Sequence, residues 1–188
     1  LSKKQTQLYA YQSQINPHFL YNMLQCMRGI SLMHGIQEVA QICTNMADLF
    51  RYSIKGAFLV YLEDELSIID KYLYMIRVRF QDKITYSLEI AEDTKKCKIP
   101  KMILQPLVEN SIFHGLESIE DNGFIYIRTF REGDGLFITI QDNGIGFDEV
   151  TLKELEELLS QDIPSDINAT FNEAKGLGII NIHNKIRL

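Results

Sequence analysis

Residues 105–115 read Gln105-Pro106-Leu107-Val108-Glu109-Asn110-Ser111-Ile112-Phe113-His114-Gly115, and this stretch decides which fold the chain takes. Its spacing predicts a helix over 102–114 that closes at Gly115, since glycine is a frequent helix stop. On that helix Asn110 and His114 stand one turn apart and share a face. An asparagine side-chain oxygen is a hard ligand of the kind Mg²⁺ takes, and a histidine one turn on reaches a phosphate oxygen. Alone, the same residues fit a buried asparagine capping a neighbour and a histidine at an ordinary helix end.

Two further segments lie toward the C-terminus. Asp142-Asn143-Gly144-Ile145-Gly146-Phe147 directly follows a strand pattern over 136–141. An aspartate at a strand end, beside glycines that permit close backbone approach, can accept a hydrogen bond from an exocyclic amine. The plainer reading is a β-turn, because Asn-Gly is a strong turn signal. Gly176-Leu177-Gly178-Ile179-Ile180-Asn181-Ile182 opens an apolar helix expected over 177–187. Free N–H groups and the helix dipole at such a start can face a phosphate. The plainer reading is a loop entering a helix.

Around these segments the pattern is α+β. Ile84, Tyr86, Leu88 and Ile90 alternate with polar residues, a period-two strand. Residues 124–130 and 136–141 read as a hairpin around Arg131-Glu132-Gly133-Asp134-Gly135. A helix is expected over 149–160, and 161–175 reads as a surface loop or a lid. The first 80 residues read as all-helical. Val39, Ile42, Cys43, Met46, Leu49, Phe50 and Ile54 form one helix face, and Leu62, Leu66, Ile69, Leu73, Ile76 and Phe80 form another. Lys55-Gly56-Ala57 separates them as a helix stop. Residues 3–33 hold one strong breaker, Pro17, where loss of a donor and a clash with the Ser13 carbonyl predict a kink. A helix of ~30 residues is ~45 Å long, so it is expected to project and to pair with a second copy. Leu8, Ile15 and Asn22 lie seven apart along its seam.

Together, Asn110, Asp142 with Gly144 and Gly146, and Gly176 with Gly178 resemble the ATP-binding motifs of the GHKL superfamily, which includes DNA gyrase, heat-shock chaperones, histidine kinases and MutL. Gln14-Ile15-Asn16-Pro17-His18-Phe19-Leu20-Tyr21-Asn22 looks like the phosphoacceptor motif of the LytS/YesM-like sensor histidine kinases, and Arg79-Phe80, Pro100 and Gln105-Pro106 fit the same family. The resemblance implies a helical dimerisation and phosphoacceptor region over 1–80 and a Bergerat-type α/β sandwich with a mixed sheet over 81–188. It implies ATP and Mg²⁺ as ligands, Asn110 as metal holder and Asp142 as adenine reader. It places Gly144 and Gly146 beside the base and Gly176 and Gly178 on phosphate, and His114, one turn past Asn110, is a candidate phosphate contact by its position. His18 becomes the phosphoacceptor, with relay to the receiver domain of a response regulator. Asn22, one turn beyond His18, either positions water for dephosphorylation or fixes helix register. The family's domain runs on for a further strand or two, expected beyond Leu188.

Composition bounds the alternatives. A net charge of −6 leaves no general basic field for nucleic acid. Cys26, Cys43 and Cys97 are widely spaced and read as ordinary reduced thiols. With four scattered histidines and no paired cysteines, no zinc site is expected. No apolar run reaches the ~18 residues of a membrane span, and the opening LSKKQTQLYAYQSQ reads as mid-helix. The chain is therefore expected to be the cytoplasmic portion of a bacterial cell-membrane sensor, with any anchor upstream. Two rival functions share the motifs. A hydrolytic GHKL ATPase tends to carry a water-activating glutamate one turn before the asparagine, where this chain has Pro106. A pseudokinase would signal as a dimeric adaptor without phosphoryl transfer.

Overall fold

The computed structural model describes residues 17–160 and 177–187. The chain divides into two compact units between Gly56 and Ala57. The expected division lay at 80/81; the helix over 62–79 packs instead with the sheet-bearing unit.

The first unit is a helical hairpin of α1 (Pro17–Met33) and α2 (Gln37–Ile54). Helix α1 ends where Gly35 takes φ 72°, with Gly35 N–H donating to the Leu32 carbonyl and Ile36 N–H to the Ser31 carbonyl. This paired closure needs a left-handed residue, which glycine supplies at no steric cost. Leu24 is buried against α2, whose small residues Ala40, Cys43 and Ala47 allow close approach. Phe19, Met23, Met27 and Ile30 stay exposed along one side of α1. Pro17 is the first described residue of α1. The expected kink involves Ser13, and the seam Leu8 and Ile15; all three lie outside the described residues.

The second unit begins with β1 (Leu59–Tyr61) and α3 (Leu62–Arg79). Then come β2 (Ile84–Ile90), a 3₁₀ turn (Glu92–Thr94) and β3 (Lys98–Pro100). Helix α4 (Leu104–Asn110) continues into a π turn (Ser111–Leu116). The hairpin β4 (Gly123–Glu132) and β5 (Gly135–Asp142) follows, then α5 (Glu149–Ser160) and α6 (Leu177–Arg187). The sheet order is β2-β4-β5, with β2 parallel and β5 antiparallel to β4. It is thus mixed, and the architecture is α+β. The short strands β1 and β3 pair antiparallel in a separate two-stranded sheet. At three residues each they carry too little alternation to be read from sequence.

Gly123, Ile125, Ile127 and Thr129 of β4 are buried, whereas Phe124 and Arg128 between them are exposed. The helices therefore cover one face. The core joins Ile125 and Ile127 with Leu62, Ile69 and Leu73 of α3, Leu104 and Val108 of α4 and Ile112 of the π turn. Tyr72 belongs to this core too, and burial, followed by nearby Glu109, pushes its phenol pKa well up. Thr94 and Thr129 are buried and satisfy each other at 2.7 Å.

Helix α4 departs from the expected 102–114 at both ends. Met102 takes φ 58°, outside the helical region, so the helix begins at Leu104. Past Asn110 the turns widen, and the Gly115 carbonyl accepts Ile145 N–H at 3.1 Å. Both departures answer tertiary partners that lie far off in sequence. Single π turns inside helices concentrate at functional sites.

Candidate functional site

A cavity of about 550 Å³ opens in the second unit. Asn110 and His114 reach it from α4 and the π turn, Asp142 from the end of β5, Ile145 and Gly146 from the following loop, and Ile179 from α6. Ile138 and Ile140 give it an apolar floor, because on β5 they share a face with Asp142. Asn110 with His114 and Asp142 with Gly146, two pairs remote from each other in sequence, thus meet in one space of ordinary small-ligand size.

Asp142 is held firmly. Its Oδ1 accepts Gly144 N–H at 2.9 Å, and a carboxyl group retains further acceptor capacity toward the cavity. The next residue, Asn143, clamps the loop to the start of β4. Its Oδ1 accepts Phe124 N–H at 2.7 Å and its Nδ2 donates to the Asn122 carbonyl at 2.9 Å. Asn143 is therefore a cross-strand clamp, and Gly144 has a separate task. A Cβ on Gly144 would lie 2.4 Å from the Gly115 carbonyl carbon and oxygen. A Cβ on Gly115 would lie 2.8 Å from Asp142 Oδ1. Two bare glycines cross here, and Asp142 rests in the space beside Gly115. Gly146, at φ 69°, needs glycine for its backbone conformation.

On the other side, a Cβ on Gly178 would lie 3.6 Å from Asn110 Nδ2, so the first turn of α6 faces the Asn110 amide. Gly176 lies outside the described residues. Among the described residues no group of three His, Cys, Asp or Glu side chains could hold a metal ion. A metal here would take the Asn110 amide oxygen and draw its remaining ligands from phosphate and water. That donor set suits Mg²⁺, which keeps several waters and is seldom caged by protein alone. Asp148 also lines the cavity and caps α5, accepting Thr151 N–H at 2.9 Å, Thr151 Oγ1 at 2.7 Å and Val150 N–H at 3.1 Å. Those donors, Thr151 N–H first, hold its pKa below the usual carboxylate range.

In the first unit, His18 is exposed on α1, and Asn22 Nδ2 stands 3.2 Å from its Nδ1. Nearby, Arg51 of α2 donates to the Tyr21 hydroxyl at 2.6 Å and lies over its ring at 5.0 Å. His34 sits just past the end of α1, and His183, half-buried on α6, has Arg187 Nη1 3.5 Å from its Nε2. No helix among the described residues is long and apolar enough to cross a membrane.

The sequence reading missed Gly115, Asp148 and Thr151 as site residues, and the apolar floor. Strand alternation from Asp142 back through Ile140 and Ile138 would have found the floor. Gly115 was legible only as a helix stop, because its partner Gly144 is distant in sequence.

Residues 6–84 match the family model described as histidine kinase. The chain is 34% identical over 185 residues to the sensor histidine kinase YesM of Bacillus subtilis (strain 168), covering 97% of this chain and 32% of that protein. It is 31% identical to the sensor histidine kinase YpdA of Escherichia coli (strain K12), covering 97% of this chain and 30% of that protein. It is 30% identical to the sensor protein LytS of Oceanobacillus iheyensis, again over 97% of this chain and 30% of that protein. The chain thus spans about a third of the length of these relatives.

Proposed function

The chain belongs to the LytS/YesM-like sensor histidine kinases, and from that premise we propose that it is the ATP-using core of a two-component sensor that phosphorylates its own His18. The observation that carries this reading is the single cavity shared by Asn110, His114, Asp142 and Gly146. A mixed sheet with helices on one face supports a Bergerat-type sandwich for residues 57–188.

Phosphoryl transfer asks the protein for position and charge neutralisation more than for covalent chemistry. Mg²⁺, when bound, neutralises charge on the phosphates. Asp142 accepts the exocyclic amine of adenine, and Gly144 and Gly146 let the base lie close to the backbone. Asn110 holds the metal. His114 and the amides at Gly176 and Gly178 take phosphate oxygens at the start of α6. A His18 ring nitrogen forms a bond to the γ-phosphorus, the bond to the β–γ bridging oxygen breaks, ADP leaves, and the ring proton passes to solvent. Phe19 follows His18 where an acid often stands, so Asn22, 3.2 Å from Nδ1, is the side chain placed to orient the ring. After transfer the same amide is placed to position water for dephosphorylation.

The exposed apolar row of α1 (Phe19, Met23, Met27 and Ile30) suits pairing with a second copy of the chain. The phosphoryl group then passes to the receiver domain of a response regulator, and a membrane link would lie outside these residues. A hydrolytic ATPase is less well served, because Pro106 stands where a water-activating base belongs.

Incubation with γ-labelled ATP and Mg²⁺ tests the reading. Acid-labile, base-stable label on the protein is expected, and it disappears in His18→Gln. Release of free phosphate without protein label would establish the hydrolase, and nucleotide binding without either product would establish the adaptor.

A further inference from the structure

Glu65 is 2% exposed, in the first turn of α3, and no step above uses it. Its carboxyl oxygens accept three successive backbone N–H groups, from Met102 at 2.6 Å, Ile103 at 3.2 Å and Leu104 at 3.4 Å. These donors stand at the start of α4, where a helix lacks internal partners. No residue of α4's own flank caps it by side chain. Met102 meanwhile takes φ 58°, a region that non-glycine residues seldom occupy. An acceptor that collects its N–H and the next two holds the chain in that conformation.

The same turn is tied from two other directions. Lys101 N–H donates to the Phe58 carbonyl at 2.8 Å, just before β1. Lys185 Nζ of α6 donates to the Lys101 carbonyl at 2.5 Å. The turn over 101–104 is therefore where α4 and α6 are joined, and their other ends face each other across Asn110 and Gly178. Asn110 lies about 9 Å along α4 from Leu104, at 1.5 Å per residue, so the start of the helix sets where the amide stands. Asp142 is held at other points, by Asn143 at the start of β4 and by the Gly115–Gly144 crossing five residues beyond Asn110.

We propose that Glu65 is a positioning residue for the metal side of the nucleotide site: by anchoring the start of α4 it keeps the Asn110 amide against the first turn of α6. This rests on the nucleotide reading above. A group that only stabilised the fold would act on base and metal binding alike, whereas Glu65 should act on the metal side.

The test uses Glu65→Gln and Glu65→Asp in the whole protein. ADP affinity is measured by calorimetry with and without Mg²⁺, and deuterium exchange is followed over 102–110 and 123–142. The glutamine turns an N–H toward N–H donors, and the gain in ADP affinity from Mg²⁺ should fall by about 10-fold or more, the effect seen when support of a metal ligand is lost. Mg²⁺-free ADP affinity should stay within about threefold, or about 0.65 kcal/mol. Exchange should quicken over 102–110 and not over 123–142. The aspartate, with both oxygens on a shorter stem, should show the same pattern more weakly, and it decides the matter if the glutamine variant does not fold. An unchanged Mg²⁺ gain in both variants overturns the inference, as does an equal loss of affinity with and without the metal. Wild-type protein that binds no nucleotide overturns the functional reading and this inference with it; wild-type binding beside unaltered variants removes the inference alone.

Discussion

Replacing Gly115 with alanine should separate base recognition from folding. The new Cβ would stand 2.8 Å from Asp142 Oδ1 and 3.2 Å from its Cγ, well inside the 3.4–4 Å of ordinary contact. The obstacle is the end of a side chain, so Asp142 can turn aside, but it then surrenders the Gly144 N–H that it accepts at 2.9 Å. Loss of that bond costs the fold about 1 kcal/mol net, a fall in Tm of roughly 4–8 °C for a domain of about 100 residues. On the proposed reading, the turned carboxyl group also leaves the adenine amine without its acceptor. A hydrogen bond to a charged group contributes about 1.5–3 kcal/mol, so ATP affinity should drop roughly 10- to 150-fold. Gly144→Ala is the contrast. Its Cβ would meet the Gly115 backbone at 2.4 Å, and no rotamer relieves that. Overpacking of this kind costs about 1–3 kcal/mol or more, so its melting temperature should fall further. Titration calorimetry and differential scanning calorimetry on both variants decide the point. Gly115→Ala that keeps ATP affinity within about twofold, less than the 1.4 kcal/mol of a tenfold change, would refute the reasoning, as would a collapse in Tm as deep as that of Gly144→Ala.

Three further outcomes are expected. The depressed pKa of Asp148 means that the stability its cap gives α5 is fully present above the ordinary carboxylate value and is lost as pH falls below it and through the lower folded value; the Thr151 amide shift should follow that low-lying acid titration and stop following it in Asp148→Ala. Burial, then the hydrogen bond to Asp70, pushes the Tyr86 phenol up to about 12, so its contribution is intact below about pH 10, the ordinary value, and is lost as pH rises toward the folded pKa. Tyr86→Phe should remove that alkaline loss from urea midpoints measured between those values. Asn22→Ala should lengthen the lifetime of phosphorylated His18 in a chase without nucleotide while leaving the melting curve unchanged; a lowered Tm with an unaltered lifetime would mark Asn22 as a register residue.

Much of the fold was legible because it rests on periodicity. The apolar rows of α2 and α3, the alternation of β2 and the turn at Gly133 place their elements within a residue or so of where they stand. What escaped was set by contacts distant in the chain. Strands β1 and β3 exist because they pair with each other. Helix α4 starts late because Glu65 draws Met102 out of helical geometry, and it widens past Asn110 because Gly115 meets Gly144 and Ile145. Asn143 looked like half of a turn signal, yet its side chain clamps two strands.

The sequence by itself determined which chemistry is at hand: an amide on a helix, a carboxyl group at a strand end, glycines opening a helix, and an imidazole beside Pro17. Residue type and local spacing carry that information, since hydrogen-bonding capacity and helical or strand period are properties of short segments. Only the tertiary structure decided that Asn110, His114 and Asp142 line one cavity, that its floor is Ile138 and Ile140, and that a buried glutamate on another helix anchors the start of α4. Those relations depend on which distant backbones can touch, and that is settled by packing: a missing Cβ at Gly115 and Gly144, and three N–H groups that needed an acceptor away from water.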